Sequence, residues 1–302
     1  MDRSHSVFAG LACVACGLFL APVRANAGIL FSYGFNSTAG LTMVGNSATA
    51  VTSDGTVLRL TPATVGQSGA AYSTTAVPLG NNATFSTQFQ FRFTGQGGID
   101  PADGITFVLS NNTTGLGEGG GGIGYQGAAG NSVAIEFDTY LNGGVDTSSN
   151  HVAVDINGVL SNTSLVNVYG VANCDFYAGY TQAGCMANGH LWTVLITYDG
   201  AHLNVTLTDP AKGTTFTALS NYAINLASIL GQNTAYVGFT SGTGSGWENH
   251  DIINWTFSNA ATLTTAPSSV PALSGWSMAG LIALLAASAG IMFRRSDARP
   301  LA

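Results

Sequence analysis

Residues 85–93 read Phe-Ser-Thr-Gln-Phe-Gln-Phe-Arg-Phe, in which apolar and polar side chains alternate with a period of two. One face of an extended chain would carry Phe85, Thr87, Phe89, Phe91 and Phe93, while the other would carry Ser86, Gln88, Gln90 and Arg92. This alternation buries one row of side chains and leaves the other facing solvent, which is typical of a β-strand.

Similar short runs recur along the chain and are separated by Gly, Asn, Ser and Thr. A single short stretch, 224–230, has a helical apolar spacing, and no βαβ alternation or internal repeat is present. The pattern therefore predicts an all-β domain, a sandwich or jelly roll of two antiparallel sheets. The further predicted strands are 105–109, 133–140, 151–156, 191–198, 203–208, 236–239 and 252–257.

The charge of the chain excludes one class of partner. Only 8% of the 302 residues are charged, and residues 28–262 hold three cations against thirteen acids, a net charge of −10. A nucleic-acid-binding surface needs several Lys or Arg side chains to neutralise phosphates. The composition therefore excludes ordinary nucleic-acid binding and favours an acidic domain that binds cations.

The N-terminal segment reads as a targeting signal. Arg3 precedes the apolar run 7–23, and Ala25-Asn26-Ala27 offers small residues to a signal peptidase. Residues 1–27 are therefore predicted to be a secretory signal peptide that is cleaved after Ala27. The domain itself is expected to span residues 28–258.

Cleavage of the signal peptide would remove Cys13 and Cys16 and leave Cys174 and Cys185. In an exported protein, two cysteines in one polar stretch most simply form a disulfide that closes a loop. Two unpaired thiols are the alternative.

The C-terminal segment also carries targeting features. Residues 276–293 form an uncharged run that is followed by two arginines, which predicts a membrane-spanning helix after the linker 259–270. The tail 271–302, with Pro-Ala-Leu-Ser-Gly-Trp before the apolar run, resembles the IPTL-CTERM sorting tail of exported proteins of Gram-negative bacteria. The resemblance implies retention in the inner membrane, followed by release to the envelope or the exterior if the tail is cleaved. A permanent single-pass anchor is the alternative.

The chemistry of the chain is concentrated in one predicted strand and the loop after it. Glu136 and Asp138 lie two residues apart and hence on one face of the strand, where they would repel each other without a cation. The next loop adds Asn142 and Asp146, and His151 begins the following strand. Carboxylate and amide oxygens suit Ca²⁺, whereas an imidazole beside carboxylates suits a transition ion such as Mn²⁺.

The ligand spacing resembles the metal loop of the legume-type (L-type) lectins: Glu136-x-Asp138-x-Tyr140-x-Asn142-x-x-x-Asp146-x-x-x-x-His151, followed by Val-Ala-Val-Asp-Ile-Asn. The resemblance extends over residues 28–258 and implies a concanavalin-like jelly-roll sandwich. It implies a transition ion held by Glu136, Asp138, Asp146 and His151. It also implies a Ca²⁺ ion held by Asp138, the Tyr140 carbonyl, Asn142 and Asp146.

Other segments match the same family in order. Residues 101–107, Pro-Ala-Asp-Gly-Ile-Thr-Phe, resemble the segment in which an Asp that follows a cis peptide accepts hydrogen bonds from sugar hydroxyls. The glycine run 119–124 resembles the glycine loop of the family. Gly121, to within one residue in the alignment, matches the position whose backbone N–H donates to the sugar. The resemblance implies these sugar contacts: Asp103, Gly121, Tyr140 and Asn142.

Residues 237–250 resemble the specificity loop of the family, which makes Trp247 a further candidate for sugar contact, together with Glu248. Trp255 has strand parity and is expected in the core, and His250 is expected to form structural hydrogen bonds. This loop is short and glycine-rich, so the resemblance does not indicate which monosaccharide the protein prefers.

Two other functions share part of this pattern. A glycoside hydrolase of the laminarinase type has the same kind of sandwich, but Tyr140 and Leu141 stand where its second catalytic Glu would follow Glu-x-Asp. A structural or adhesive envelope protein could keep the fold without using the sugar site, although Asp103 and Asn142 argue against this. The sequence favours a metal-dependent protein that binds glycans and has no catalytic turnover.

Overall fold

A computed structural model describes residues 29–80, 83–144 and 146–262 of the chain. Within these residues the chain forms strands joined by turns and by longer loops that contain three single-turn 3-10 helices, together with one five-residue α-helix, α1 (Leu226–Leu230). The strands are β1 (Ile29–Tyr33), β2 (Leu41–Gly45), β3 (Ala48–Thr52), β4 (Gly55–Thr61), β5 (Ser68–Ser73), β6 (Val77–Pro78), β7 (Phe85–Gly98), β8 (Gly104–Ser110), β9 (Ser132–Asp138), β10 (His151–Ile156), β11 (Val166–Asn167), β12 (Trp192–Tyr198), β13 (His202–Thr208), β14 (Thr215–Ala223), β15 (Thr234–Gly242) and β16 (Gly246–Ser258).

The strands form two sheets, each with eight strands in the described part of the chain. The first sheet has the order β14-β13-β12-β7-β16-β4-β3, and β1 pairs with the end of β16. The second sheet has the order β11-β10-β9-β8-β15-β5-β2, and β6 pairs with β15. The paired strands run antiparallel, which confirms the prediction of an all-β domain with two antiparallel sheets.

The core is filled by aromatic side chains from both sheets. Phe89, on β7 of the first sheet, contacts Phe107, Phe137 and Phe239 of the second sheet, with ring centroids 6.1, 5.8 and 4.9 Å away. Trp255 is fully buried, as predicted, and its ring lies 4.9 Å from that of Phe239. Because rings are large apolar groups, this layer holds the two sheets face to face.

The register of the second sheet brings several loops to one end. Asp138, the last residue of β9, pairs with His151, the first residue of β10, and on its other side with Gly104, the first residue of β8. The predicted strand 133–140 thus ends two residues earlier than expected, and Tyr140 lies in the loop. This end of the sheet therefore carries the start of β8, the loop after β9 and the start of β10.

The predicted targeting segments fall elsewhere. The signal peptide 1–27 and the tail 271–302, with its apolar run 276–293, lie outside the described residues, and the linker is described only as far as residue 262. Among the residues that are described, no helix has the length and apolar character needed to cross a membrane.

Candidate functional site

Three ligand-type side chains meet at the end of β9 and the start of β10. Glu136, Asp138 and His151 are buried, and one ligand atom from each lies within 4.8 Å of the others. The His151 Nδ1 lies 3.0 Å from the carbonyl oxygen of Ser148, which can only accept, so Nδ1 donates the hydrogen bond. The other ring nitrogen, Nε2, then points at the carboxylate of Glu136, 3.0 Å away. A ring fixed through its far nitrogen is the usual arrangement of a metal-ligating histidine.

The loop after β9 folds back on the same cluster. The backbone N–H of Tyr140 donates to Asp138 Oδ1 at 2.7 Å, and that of Asn142 donates to Asp146 Oδ2 at 2.9 Å. The Asn142 side-chain oxygen is buried and accepts no hydrogen bond from the described residues. A buried amide oxygen without a donor is costly in a protein interior. A cation at this position would remove that cost.

The electrostatics of the cluster also suit a bound cation. Burial raises the pKa of Glu136 to about 7, and the charge of Asp146 adds to the effect. Burial and the neighbouring carboxylates, first Glu136 and then Asp146, raise the pKa of Asp138 well above its ordinary value. Burial lowers the pKa of His151. These carboxylates and this imidazole, with one unpartnered amide oxygen, form a donor set that fits a hard divalent ion and a transition ion.

A cavity of about 200 Å³ is lined in part by the loop after β9, through Tyr140 and Asn142. Four of the residues predicted to contact sugar line it, although they come from three separate segments of the chain. Asp103 follows a cis Ala102–Asp103 peptide bond, as the resemblance implied, and its Oδ2 is buried without a hydrogen-bond partner in the described residues. The lining residues are Ile99, Asp103, Gly120, Gly121, Tyr140, Asn142, Gly244, Ser245 and Gly246.

Glycine is required at one point of the cavity wall. A Cβ atom on Gly121 would lie 2.3 Å from the side-chain nitrogen of Asn142, well inside van der Waals contact. The backbone at this position can therefore approach the Asn142 amide only without a side chain. The two groups that the sequence assigned to sugar binding are thus adjacent.

Asp103 is held by its backbone and leaves its carboxylate for the cavity. Its N–H donates to the Gly242 carbonyl at 3.2 Å, and its own carbonyl accepts from the Thr139 N–H at 2.9 Å. Burial, helped by the negative charge of Glu248, raises the pKa of Asp103 to about 7. A buried carboxylate with a free oxygen is a strong acceptor for hydroxyl donors of a ligand.

The sequence profile of the legume lectin domain matches residues 30–271. The chain belongs to the legume lectin domain family.

Relatives of this legume lectin domain span plant agglutinins and receptors. The basic agglutinin of Psophocarpus tetragonolobus is 32% identical over 235 residues, which cover 74% of this chain and 85% of the agglutinin. The probable L-type lectin-domain containing receptor kinase VII.2 of Arabidopsis thaliana is 29% identical over 258 residues, which cover 78% of this chain but only 36% of the kinase. Among solved structures, basic winged bean lectin with Tn-antigen has a TM-score of 0.61 and 29% identity, and covers 76% of this chain and 96% of that one.

The structure does not bring Trp247 into the cavity of this lectin domain. Strand alternation on β16 buries Gly246 and Glu248 and turns Trp247 the other way. Its indole lies against the backbone of Gly97 and Gly98, where any side chain would clash with the ring. Trp247 is not among the residues that line this cavity, so the structure does not bring it together with the other predicted sugar contacts.

Two buried residues of β16, Glu248 and His250, have structural roles beside the site. Glu248 is fully buried, and its Oε1 accepts from the Thr139 hydroxyl at 2.9 Å, which fixes the chain where β9 ends. His250 forms structural hydrogen bonds, as expected, to the Thr61 hydroxyl at 2.8 Å and to the N–H of Gly104 at 3.1 Å. Only the pairing of β16 with β7 and β4 places these residues below the site.

Cys174 and Cys185 form a disulfide. The segment they close is attached to the metal loop, because the Cys174 N–H donates to the Ser149 hydroxyl at 2.8 Å and the Ser149 N–H donates to the Ala172 carbonyl at 2.9 Å. The sequence placed the two cysteines in one loop but contained no signal that this loop lies beside the candidate site.

Proposed function

We propose that this protein is an exported, metal-dependent carbohydrate-binding protein without catalytic turnover. The observation that carries the proposal is one cavity whose wall combines Asp103, Gly121, Tyr140 and Asn142. The last two lie on the loop that directly follows Glu136 and Asp138, two members of a buried cluster of ligand-type side chains. The carboxylate, backbone and amide groups that line this small cavity can form hydrogen bonds to the closely spaced hydroxyl groups of one sugar ring.

Two ions would occupy the cluster, consistent with its donor set. Glu136, Asp138, Asp146 and His151 would hold a transition ion such as Mn²⁺. Asp138, the Tyr140 carbonyl, Asn142 and Asp146 would hold Ca²⁺. When bound, these ions would supply the positive charge that keeps the buried carboxylates ionised.

The chain's own groups would then bind the sugar. Asp103 would accept hydrogen bonds from two sugar hydroxyls, and the Asn142 amide nitrogen and the Gly121 N–H would donate to sugar oxygens. The Tyr140 ring would cover the apolar face of the pyranose. A site with so few contacts binds a single sugar weakly, so multivalent display would raise the apparent affinity.

The geometry favours binding over glycoside hydrolysis. A glycosidase needs two carboxyl groups that flank the scissile bond. Glu136 is only 2% exposed, lies under the loop and does not line the cavity. Its contact with His151 suits a metal ligand better than an acid that protonates a glycosidic oxygen.

The proposed location follows from the ends of the chain. The predicted signal peptide 1–27 would export the domain, and the predicted helix 276–293 would hold it at the inner membrane until the sorting tail is processed. Partners would then be glycans of the cell envelope or of the exterior.

The test is a glycan array with the purified protein, run with Ca²⁺ and Mn²⁺ and again after EDTA stripping. The winged bean lectins solved with Tn-antigen and with methyl-α-D-galactose make galactose-type sugars the first probes. We expect binding that EDTA abolishes. Asp138→Ala should lose both bound metal and sugar, Asp103→Ala should lose sugar but keep metal, and Asp199→Ala, an exposed carboxylate elsewhere, should change neither.

Two outcomes would contradict the proposal. Normal sugar binding by Asp138→Ala in EDTA would show that the metal loop is irrelevant. No binding by a folded, metal-loaded sample would favour the structural or adhesive role instead.

A further inference from the structure

A second cavity, of about 210 Å³, lies next to the first. It is lined by Asp100, Thr139, Tyr140, Leu141, Ser149 and Asp175. Tyr140 contributes to the walls of both cavities, and the negative charges of Asp100 and Asp103, one from each cavity, both act on its hydroxyl. The two cavities therefore adjoin each other at Tyr140.

One wall of the second cavity comes from the disulfide segment, residues 174–185. The Phe176 N–H donates to Asp100 Oδ1 at 2.7 Å, and the Ala178 N–H donates to Asp175 Oδ1 at 2.5 Å. These bonds leave the second oxygen of Asp100 and of Asp175 without a hydrogen bond from the described residues. Each carboxylate is thus oriented by the backbone and retains an acceptor for a ligand.

The far end of the disulfide segment is anchored in the protein interior. The fully buried Asn150 donates to the Gly184 carbonyl at 2.8 Å and accepts from the Met186 N–H at 2.9 Å. The Gly184 N–H in turn donates to the buried Asp209 at 2.8 Å. A segment tied by a disulfide and by buried hydrogen bonds at both ends forms a preorganised wall, so a ligand would not have to order it.

The disulfide segment also presents aromatic surface close to the cavity. Tyr177 follows Asp175 by two residues and is 97% exposed, and Phe176 is 38% exposed. Phe176 is held edge-on to Tyr180, with ring centroids 5.0 Å apart. An aromatic face held next to polar acceptors is suited to the apolar face of a pyranose.

The charge of the second cavity restricts the class of ligand. Asp100 and Asp175 are acidic, and none of the cations in the described residues lines the cavity. A carboxylate or sulfate placed beside them would meet two like charges, and no Lys or Arg side chain in the lining offsets them. The three cations of the described residues are engaged elsewhere: Arg59 with Asp251, Arg92 with Asp54, and Lys212 over the ring of Tyr169.

We infer that the second cavity is a subsite for the next sugar ring of a glycan whose terminal ring occupies the first cavity. The subsite accepts a neutral ring or one with a free amine, and it rejects a uronic acid. The inference rests on the proposed function, because the first ring must bind in the first cavity. It adds the size of the recognised unit, at least a disaccharide, and the charge class of its second ring.

The test measures affinity by titration calorimetry with the metal-loaded protein. The probes are the methyl glycosides of galactose, glucose and mannose, and the disaccharides in which each is linked to glucose, glucosamine or glucuronic acid. We expect the neutral and amino disaccharides to bind about tenfold more tightly than the methyl glycoside of the same terminal sugar, since a bond to a charged acceptor is worth about that factor. The glucuronic acid disaccharides should show no gain.

Two matched variants assign the effect to the disulfide segment. Asp175→Asn removes one negative charge, yet its side-chain oxygen can still accept from the Ala178 N–H. This variant should reduce the difference in affinity between the disaccharides that contain glucose and those that contain glucuronic acid as the second ring. It should leave the affinity for the methyl glycosides unchanged. Asp199→Asn is the control, because Asp199 also accepts a backbone N–H in a turn, but at the opposite end of the first sheet. It should change none of the affinities.

Each result separates the two proposals. Methyl glycoside binding without any gain from a second ring would overturn the subsite and leave the lectin function standing. An equal effect of Asp175→Asn and Asp199→Asn would also overturn it. No metal-dependent binding of any probe would refute the lectin function, and the subsite with it.

Discussion

Removing the metal ions should reverse the way in which the stability of this protein depends on pH. The perturbation acts on buried carboxylates of the site, of which Glu136 is the clearest case. Its side chain is 3% exposed, and the one ion-pair partner it has among the described residues is the buried His151 ring, 3.0 Å away. Burial lowers the pKa of that ring, so the ring stays neutral. Without a metal ion, Glu136 therefore prefers its protonated form in the folded protein.

The raised pKa of Glu136 sets how much stability the metal-free protein loses as the pH rises. In the folded, metal-free protein the pKa rises from 4.5 to about 7, mainly because of burial. Between these pH values the folded state keeps a proton that the unfolded chain has released, so the free energy of unfolding decreases as the pH rises. At about 1.4 kcal/mol per pH unit, the loss over this window is on the order of 3 kcal/mol.

Neighbouring groups also change how the free energy of unfolding varies with pH. Asp103, whose pKa rises from 3.8 to about 7, destabilises the metal-free protein over a similar window. His151 acts in the opposite direction, because its lowered pKa makes the folded state release a proton that the unfolded chain keeps below about pH 6.5. With several carboxylates against one imidazole, the metal-free protein should lose stability from pH 5 to pH 7.

The assay is urea unfolding at pH 5, 6, 7 and 8, with EDTA and with saturating Ca²⁺ and Mn²⁺. Metal binding requires ionised carboxylates, so the stabilisation by metal should grow with pH while the metal-free protein weakens. Glu136→Gln cannot ionise, so in EDTA its free energy of unfolding should fall less steeply with rising pH than that of the unchanged protein. An identical pH slope for Glu136→Gln and the unchanged protein would refute the reasoning.

Three further predictions concern the cavity, the core and the disulfide. Gly121→Ala should displace the Asn142 amide and weaken sugar binding at least about tenfold, whereas Gly143→Ala, whose Cβ meets nothing within 4 Å, should bind normally by calorimetry. Phe89→Ala should lower the free energy of unfolding by about 3–5 kcal/mol in urea, since the ring is fully buried between the sheets; a loss below about 1 kcal/mol would contradict its central position. Replacing both disulfide cysteines by serine should cost about 3 kcal/mol, and an unchanged urea midpoint would contradict this.

Much of the fold was predictable from short runs of sequence. The alternating runs at 85–93 and 151–156 correspond to β7 and β10, because both strands are buried on the face that the pattern marks. The pattern did not predict β3 (Ala48–Thr52) or β14 (Thr215–Ala223). Both are edge strands with many exposed residues, so their sequences carry little apolar alternation.

The candidate site also combines residues that the sequence predicted with features that it did not. Glu136, Asp138 and His151 were predicted together because the strand period and the spacing of one continuous loop bring them together. Trp247 was assigned to the sugar because residues 237–250 resemble a specificity loop, and it does not line the cavity. The second cavity had no sequence signal, because Asp100 and Asp175 meet only through the fold.

The sequence by itself determined the class of fold, the donor types of the metal cluster and the acidic, cation-poor character of the domain. These depend on local period, spacing and composition, which folding does not alter. Only the tertiary structure decided which side chains share a cavity. Asp103 and Asn142 meet because antiparallel register brings the start of β8 and the loop after β9 to one end of a sheet, and register is set by packing between residues that are far apart in the chain. Gly121 reaches the same end because the long loop 111–131 packs across the outer face of that sheet.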